Sequence, residues 1–181
     1  MIAYLLVLFG VATRYLVAGH LPLLNFTAVT ASLLYFGARR SWREMLAPVA
    51  LLMLSDFALT TYVYHFPFHW QVYVTTWAWY AAAIGLGQIL LHAKTTFVRG
   101  AAAALLGPTS FFIISDYSVW ASGFNGYPHT LAGLITCYAA AIPFYRNDLV
   151  ATSIVLGVAL GVPALVRRMN TDRASAVSIA K

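Results

Sequence analysis

From Ile2 to Val166 the chain is a succession of apolar runs separated by short seams, and most of the charged residues sit in the seams. A helix needs about 20 apolar residues to cross the ~30 Å hydrocarbon core of a bilayer. Inside lipid the backbone can satisfy its own hydrogen bonds only as helices or as a closed barrel. Runs this long and this apolar predict an all-α membrane protein. The chain of 181 residues is 61% hydrophobic and 9% charged, where a soluble domain carries about 25% charged residues. Its length suits one transmembrane helical domain, expected over 1–168, followed by a polar cytoplasmic tail over 169–181.

Six spans are expected, at about Ile2–Val17, Asn25–Ala38, Met45–Tyr64, Gln71–Leu91, Val98–Trp120 and Leu149–Val166. The opening MIAYLLVLFGVATRYL has no basic leader and reads as a retained first span. Thr130–Tyr145 is apolar but short, with Pro128 before it and Pro143 and Arg146-Asn147-Asp148 at its end. It is predicted to be a short re-entrant or interfacial helix before the last span. The fold class expected is therefore a six-transmembrane-helix bundle, with seven spans as the alternative if this segment crosses. Arg39, Arg40 and Arg43, the Lys94–Arg99 loop and Arg167-Arg168 fall on one side in the six-span arrangement. By the positive-inside rule that side, with both termini, is cytoplasmic. The net charge of +6 thus reads as a topology signal, and nucleic acid is not expected as a partner.

Two apolar runs carry the same Ser-Asp pair, Ser55-Asp56 and Ser115-Asp116. A carboxylate within a span is costly and faces a protein interior or a wet cavity. Each could be half of a structural pair with Arg14 or a helix end, a ligand or ion site, or a group at the interface. Arg14 could pair with an Asp, snorkel to headgroups or bind a ligand carboxylate. Arg14, Asn25, Asp56, Asp116, Tyr127, His129 and Asn147 converge on the outer half in this topology, which suggests an outward-facing pocket. His20, His65, His69 and His129 map to the same side, as interfacial histidines or as metal or haem ligands. Trp70, Trp77, Trp79, Tyr62, Tyr64 and Tyr73 read as an aromatic belt. Ala78, Ala82 and Gly85, Ala101–Ala104, and Gly157 with Gly161 form small-residue faces for close helix packing or a partner.

The single Cys137 rules out an intrachain disulfide and any multi-cysteine metal site built from this chain alone. No phosphate-binding loop, HExxH, GxSxG or CxxC motif is present. No catalytic residue, metal site or cofactor is expected, and the chain is not read as an enzyme.

The runs NFTAVTASLLYFGARR, APVALLMLSDFAL, FFIISDYSVWASG and YPHTLAGLITCYAAAIPFYRNDL, within about Asn25–Val166, resemble a family of small, uncharacterised bacterial membrane proteins. That family is similar in turn to the substrate-binding S components of energy-coupling factor (ECF) vitamin transporters. The second likeness rests on six spans, a short second span, and Pro143, Phe144 and Asn147 before the last span. It implies a multi-pass protein of the bacterial inner (cytoplasmic) membrane that binds a small molecule around Asn25, Asp56, Asp116, Trp120, Tyr127 and Asn147. It also implies a transmembrane coupling protein and ATPases as partners. The Ala-xxx-Ala docking face usual on the first span of S components is missing, because Val7 follows Ala3 and Leu16 follows Ala12. The expected function is uptake of a vitamin or cofactor precursor as an S-component-like binding component needing a partner. The alternative is an accessory subunit of a larger membrane complex, such as a respiratory assembly.

Overall fold

The shortest helix stands at the centre. The computed structural model describes residues 1–20, 26–123 and 126–179, with side chains omitted at Gly19, His20 and 172–179. Helix α2, Val29–Arg39, is buried at every position from Val29 to Ala38. Its sequence is apolar or small all round, with no charged face to turn outward. Helices α1 (Ile2–His20), α4 (Val74–Gly87), α5 (Phe97–Ser122) and α6 (Leu131–Ile179) pack against it. Helix α3, Leu46–Ala58, packs on α1 and α4 instead. Leu33, Leu34 and Phe36 of α2, Leu52 of α3 and Ile84 of α4 form the centre of the core.

Glycine permits the tightest contact. A Cβ on Gly37 would lie 1.9 Å from the Ile84 carbonyl oxygen, and one on Gly87 would lie 2.1 Å from that of Leu34. The backbones of α2 and α4 therefore touch along a seam that only glycine allows. Gly85, Gly157 and Gly161 have nothing within 4 Å of such an atom, so the small-residue faces expected at those positions are not sites of close packing.

Among the described residues there are six α-helices, and four continuous helical stretches are long and apolar enough to cross a membrane: Trp42–Val63, Trp70–His92, Phe97–Ser122 and Leu131–Thr171. The first two are α3 and α4 extended by a short turn at each end. The apolar part of α1, Ile2–Ala18, is shorter. Helix α2 has 11 residues, or about 16 Å at 1.5 Å per residue, too little to cross alone. Chain termini of helices follow local chemistry. The Thr96 hydroxyl accepts from the Arg99 amide at the start of α5, and Gly123 ends it at φ 67°.

The segment expected as a separate re-entrant helix is instead the first part of α6. That helix runs unbroken for 49 residues through Pro143 and Pro163, and carries the polar residues after Arg168 as far as Ile179. The polar Arg146-Asn147-Asp148 triplet marks the expected end of that segment. On a helix it divides by direction: Arg146 is exposed and Asp148 is buried. Proline removes one backbone hydrogen bond, a local loss that need not end a helix packed against its neighbours.

Candidate ligand-binding site

A cavity of about 400 Å³ opens between the six helices. Its lining includes Arg14, Asp56, Asp116 and Tyr127, all anticipated from the sequence, together with Thr27, Thr30, Tyr73, Trp79, Cys137 and Asp148.

Three carboxylates reach it, each in a different state. Asp56 lies at one wall with its side chain 1% exposed, ion-paired to Arg14. Arg14 also donates to the Ser55 hydroxyl at 3.1 Å. Trp77 Nε1 donates to Asp56 Oδ2 at 2.8 Å, and the Tyr80 hydroxyl lies 3.4 Å from both oxygens. A buried charge needs a counter-charge and donors for its remaining lone pairs, and Asp56 has both. Of the roles open to Arg14, the structure selects the internal pair.

Asp148 is buried too, but its partners are hydroxyls. Thr30 donates to one oxygen at 3.0 Å, and Thr152, one helical turn along α6, to the other at 3.2 Å. Thr30 belongs to the first turn of α2, where the helix dipole favours negative charge.

Asp116 is only half-buried, and among the described residues its side chain has one hydrogen bond, from the neighbouring Ser115 hydroxyl at 3.4 Å. No cation pairs with it among the described residues. The Cys137 thiol beside it donates to the backbone carbonyl of Asp116, not to its carboxylate.

The remaining expected site residues divide. Tyr127 lines the cavity from the loop after α5. Trp120 and His129 do not. Trp120 Nε1 donates to the Pro128 carbonyl at 2.9 Å, and its ring meets His129 edge-on at 5.5 Å, so the two clasp the loop outside the cavity. Asn147 is half-buried on α6 beside Asp148 and does not line the cavity. Asn25 lies outside the described residues, as does the His20 side chain. Among the described residues no group of three or more His, Cys, Asp and Glu side chains is placed to hold a metal ion.

The aromatic belt holds only in part. Trp70, Tyr62 and Tyr64 are exposed. Trp79 is buried with its Nε1 on Ser110, and Trp77 turns in to Asp56. An indole N–H buried away from water needs an acceptor, and these two find one inside the bundle.

Sequence reasoning missed Asp148, Thr30, Trp77 and Tyr80. A signal existed for Asp148: Cys137, Ala141, Tyr145, Asp148, Thr152 and Leu156 recur at spacings of three or four, one face of a helix. No comparable signal marks the partners of Asp56, which come from other helices.

Helices throughout the described residues, four stretches apolar enough for a bilayer and a buried ion pair between helices define an α-helical membrane protein. The chain belongs to the family described as "Family of unknown function (DUF6580)", whose model matches residues 1–174. No curated protein and no solved structure matches it. The expected membership of an uncharacterised family holds at that level, and the finer likeness to S components finds no support in these comparisons.

Proposed function

We propose that the protein is a membrane-embedded binding component for a small solute with an amine or other cationic group. Asp116 carries this reading. It is the one carboxylate of the cavity that neither a cation nor a buried hydroxyl pair satisfies among the described residues. A carboxylate at the edge of an apolar helix is costly without such partners, and a bound ammonium would supply the charge and up to three donors. Trp79, Phe111, Phe112 and Tyr127 offer apolar and aromatic walls for the rest of the molecule. The volume is that of a small-molecule site.

On this reading the chain crosses a bacterial inner membrane six times, with α2, too short to cross alone as a helix, making its pass enclosed by the other helices. The basic seams face the cytoplasm and the cavity faces outward. The sequence carries no phosphate-binding loop, so on this reading uptake of the solute, a vitamin or cofactor precursor, depends on a coupling partner, as it does for S components.

The test is native mass spectrometry of the protein extracted gently from its own membrane. The expected result is a retained small molecule bearing a basic nitrogen, lost in Asp116→Asn at unchanged folding yield. Retention unaffected by that substitution, or equal loss of binding and yield, overturns the assignment.

A second reading, an accessory subunit of a larger membrane complex, is favoured by α6. Its 49 residues extend about 73 Å, well beyond a bilayer of about 45 Å. The overhang offers a partner a helical surface. Copurification of larger subunits in fixed ratio, with no small molecule retained, would favour it.

A further inference from the structure

We propose a second binding site, for an anionic phospholipid, in the cleft between α5 and α6 at the basic end of the bundle. The proposal rests on the chain lying in a membrane and on nothing else in the preceding reading.

The cleft encloses about 1080 Å³. Its walls are mainly apolar, with Ala101, Ala104 and Leu105 on α5 and Gly157, Leu160 and Gly161 on α6. A Cβ at either glycine would meet nothing within 4 Å. The two glycines therefore do not bring helices together. They leave an open slot, and an open apolar slot in a membrane protein is filled by an acyl chain.

The mouth has the opposite character. Arg39 at the end of α2, His92 at the end of the stretch that extends α4, Thr96 at the cap of α5 and Arg167 of α6 all border it. The ion pairs among the described residues are Arg14–Asp56 and Arg40–Glu44, so neither Arg39 nor Arg167 has a carboxylate partner among them. Arg39 lies over the Tyr35 ring at 5.5 Å, which holds it at the rim without neutralising it. The start of α5 adds amides with no intrahelical acceptor and the positive end of a helix dipole. Lys94 and Arg99 lie in the same seam.

Two guanidinium groups without a carboxylate among the described residues, and a helix start, above an apolar slot match one amphipathic molecule. Its phosphate meets the cations and its acyl chain enters the slot. Basic pockets between spans at a leaflet rich in anionic lipid are suited to such headgroups. A free phosphate would use the mouth and leave the slot empty. A zwitterionic lipid would bring a cation to a mouth that already has two.

The test uses the full chain in nanodiscs of phosphatidylcholine mixed with phosphatidylglycerol, followed by native mass spectrometry of retained lipid. Phosphatidylglycerol is expected to be retained over phosphatidylcholine by about tenfold. Arg39→Gln with Arg167→Gln should cut that preference by about tenfold. Gly157→Leu with Gly161→Leu fills the slot, leaves every cation in place and should reduce retention of both lipids, so the proposal stays testable if the arginine variant fails to insert. Excess inorganic phosphate should leave the lipid bound. Equal retention of the two lipids by the unaltered protein overturns the proposal. So does unchanged retention in the glycine variant, or displacement by phosphate alone.

Discussion

Ser55-Asp56 and Ser115-Asp116 are the same dipeptide in two helices, and both carboxylates line one cavity. Asp56 is enclosed by Arg14, Trp77 and Tyr80, drawn from α1 and α4. Among the described residues Asp116 has only the hydroxyl of the residue before it. The difference lies in what neighbouring helices bring to each carboxylate. Three polar side chains from two other helices turn Asp56 into a joint of the bundle. Asp116, on the cavity side of α5, is left with capacity for a ligand. Burial of a charge with full pairing marks architecture here, and partial burial without it marks availability.

The largest effect that separates the two should come from Asp56→Asn. It strands the Arg14 guanidinium inside the bundle and should cost about 3–5 kcal/mol, visible as lost yield or a large fall in unfolding temperature in detergent. Adding Arg14→Gln should restore part of it, since removing both charges is milder than removing one. A double variant no better than the single would mean that Trp77 and Tyr80, not the ion pair, dominate at Asp56.

Next in size is Gly87→Ala. The new methyl would meet the Leu34 carbonyl, which is backbone and cannot step aside, at a cost of about 1–3 kcal/mol. Because α4 also carries Trp77 and Tyr80, its displacement should disturb Asp56 directly and reach the Asp116 site only through the Trp79 wall. A solute-retention assay alongside thermal unfolding would check both halves of that statement.

Asp148→Asn should be smaller, about 1–2 kcal/mol. An amide oxygen can still accept from Thr30 or Thr152, while one hydroxyl loses its acceptor. Smallest is Asp116→Asn, within about 0.5 kcal/mol in stability but with the bound solute lost. A stability loss as large as that of Asp56→Asn would end the distinction between the two carboxylates.

Much of the helix inventory was legible. Apolar runs of membrane length mark α3, α4 and α5 because lipid imposes helical hydrogen bonding on any such run. The α6 continuation was not legible. Pro143 and the Arg146-Asn147-Asp148 triplet are local signals of a break, and the packing of Asp148 against Thr30 overrides them. Arg14 and Asp56 were visible as costly groups, with the pair between them one option of several. Their choice depends on α1 meeting α3 at a particular height, which no local pattern states. Trp77 and Trp79 followed the composition of a belt and took their direction from Asp56 and Ser110 inside.

By itself the sequence determined that this chain is helical and belongs in a membrane, since hydrophobic length and the placement of charge are local properties of the chain. It also marked Asp56 and Asp116 as groups needing an explanation, because a carboxylate among apolar neighbours is expensive wherever it lies. Only the tertiary structure decided which of them is satisfied, that the shortest helix is the central one, and that Asp148 joins them. Satisfaction of a buried charge depends on donors from other helices, and centrality on where two glycines let backbones touch. Both are relations across space, between residues far apart in the chain.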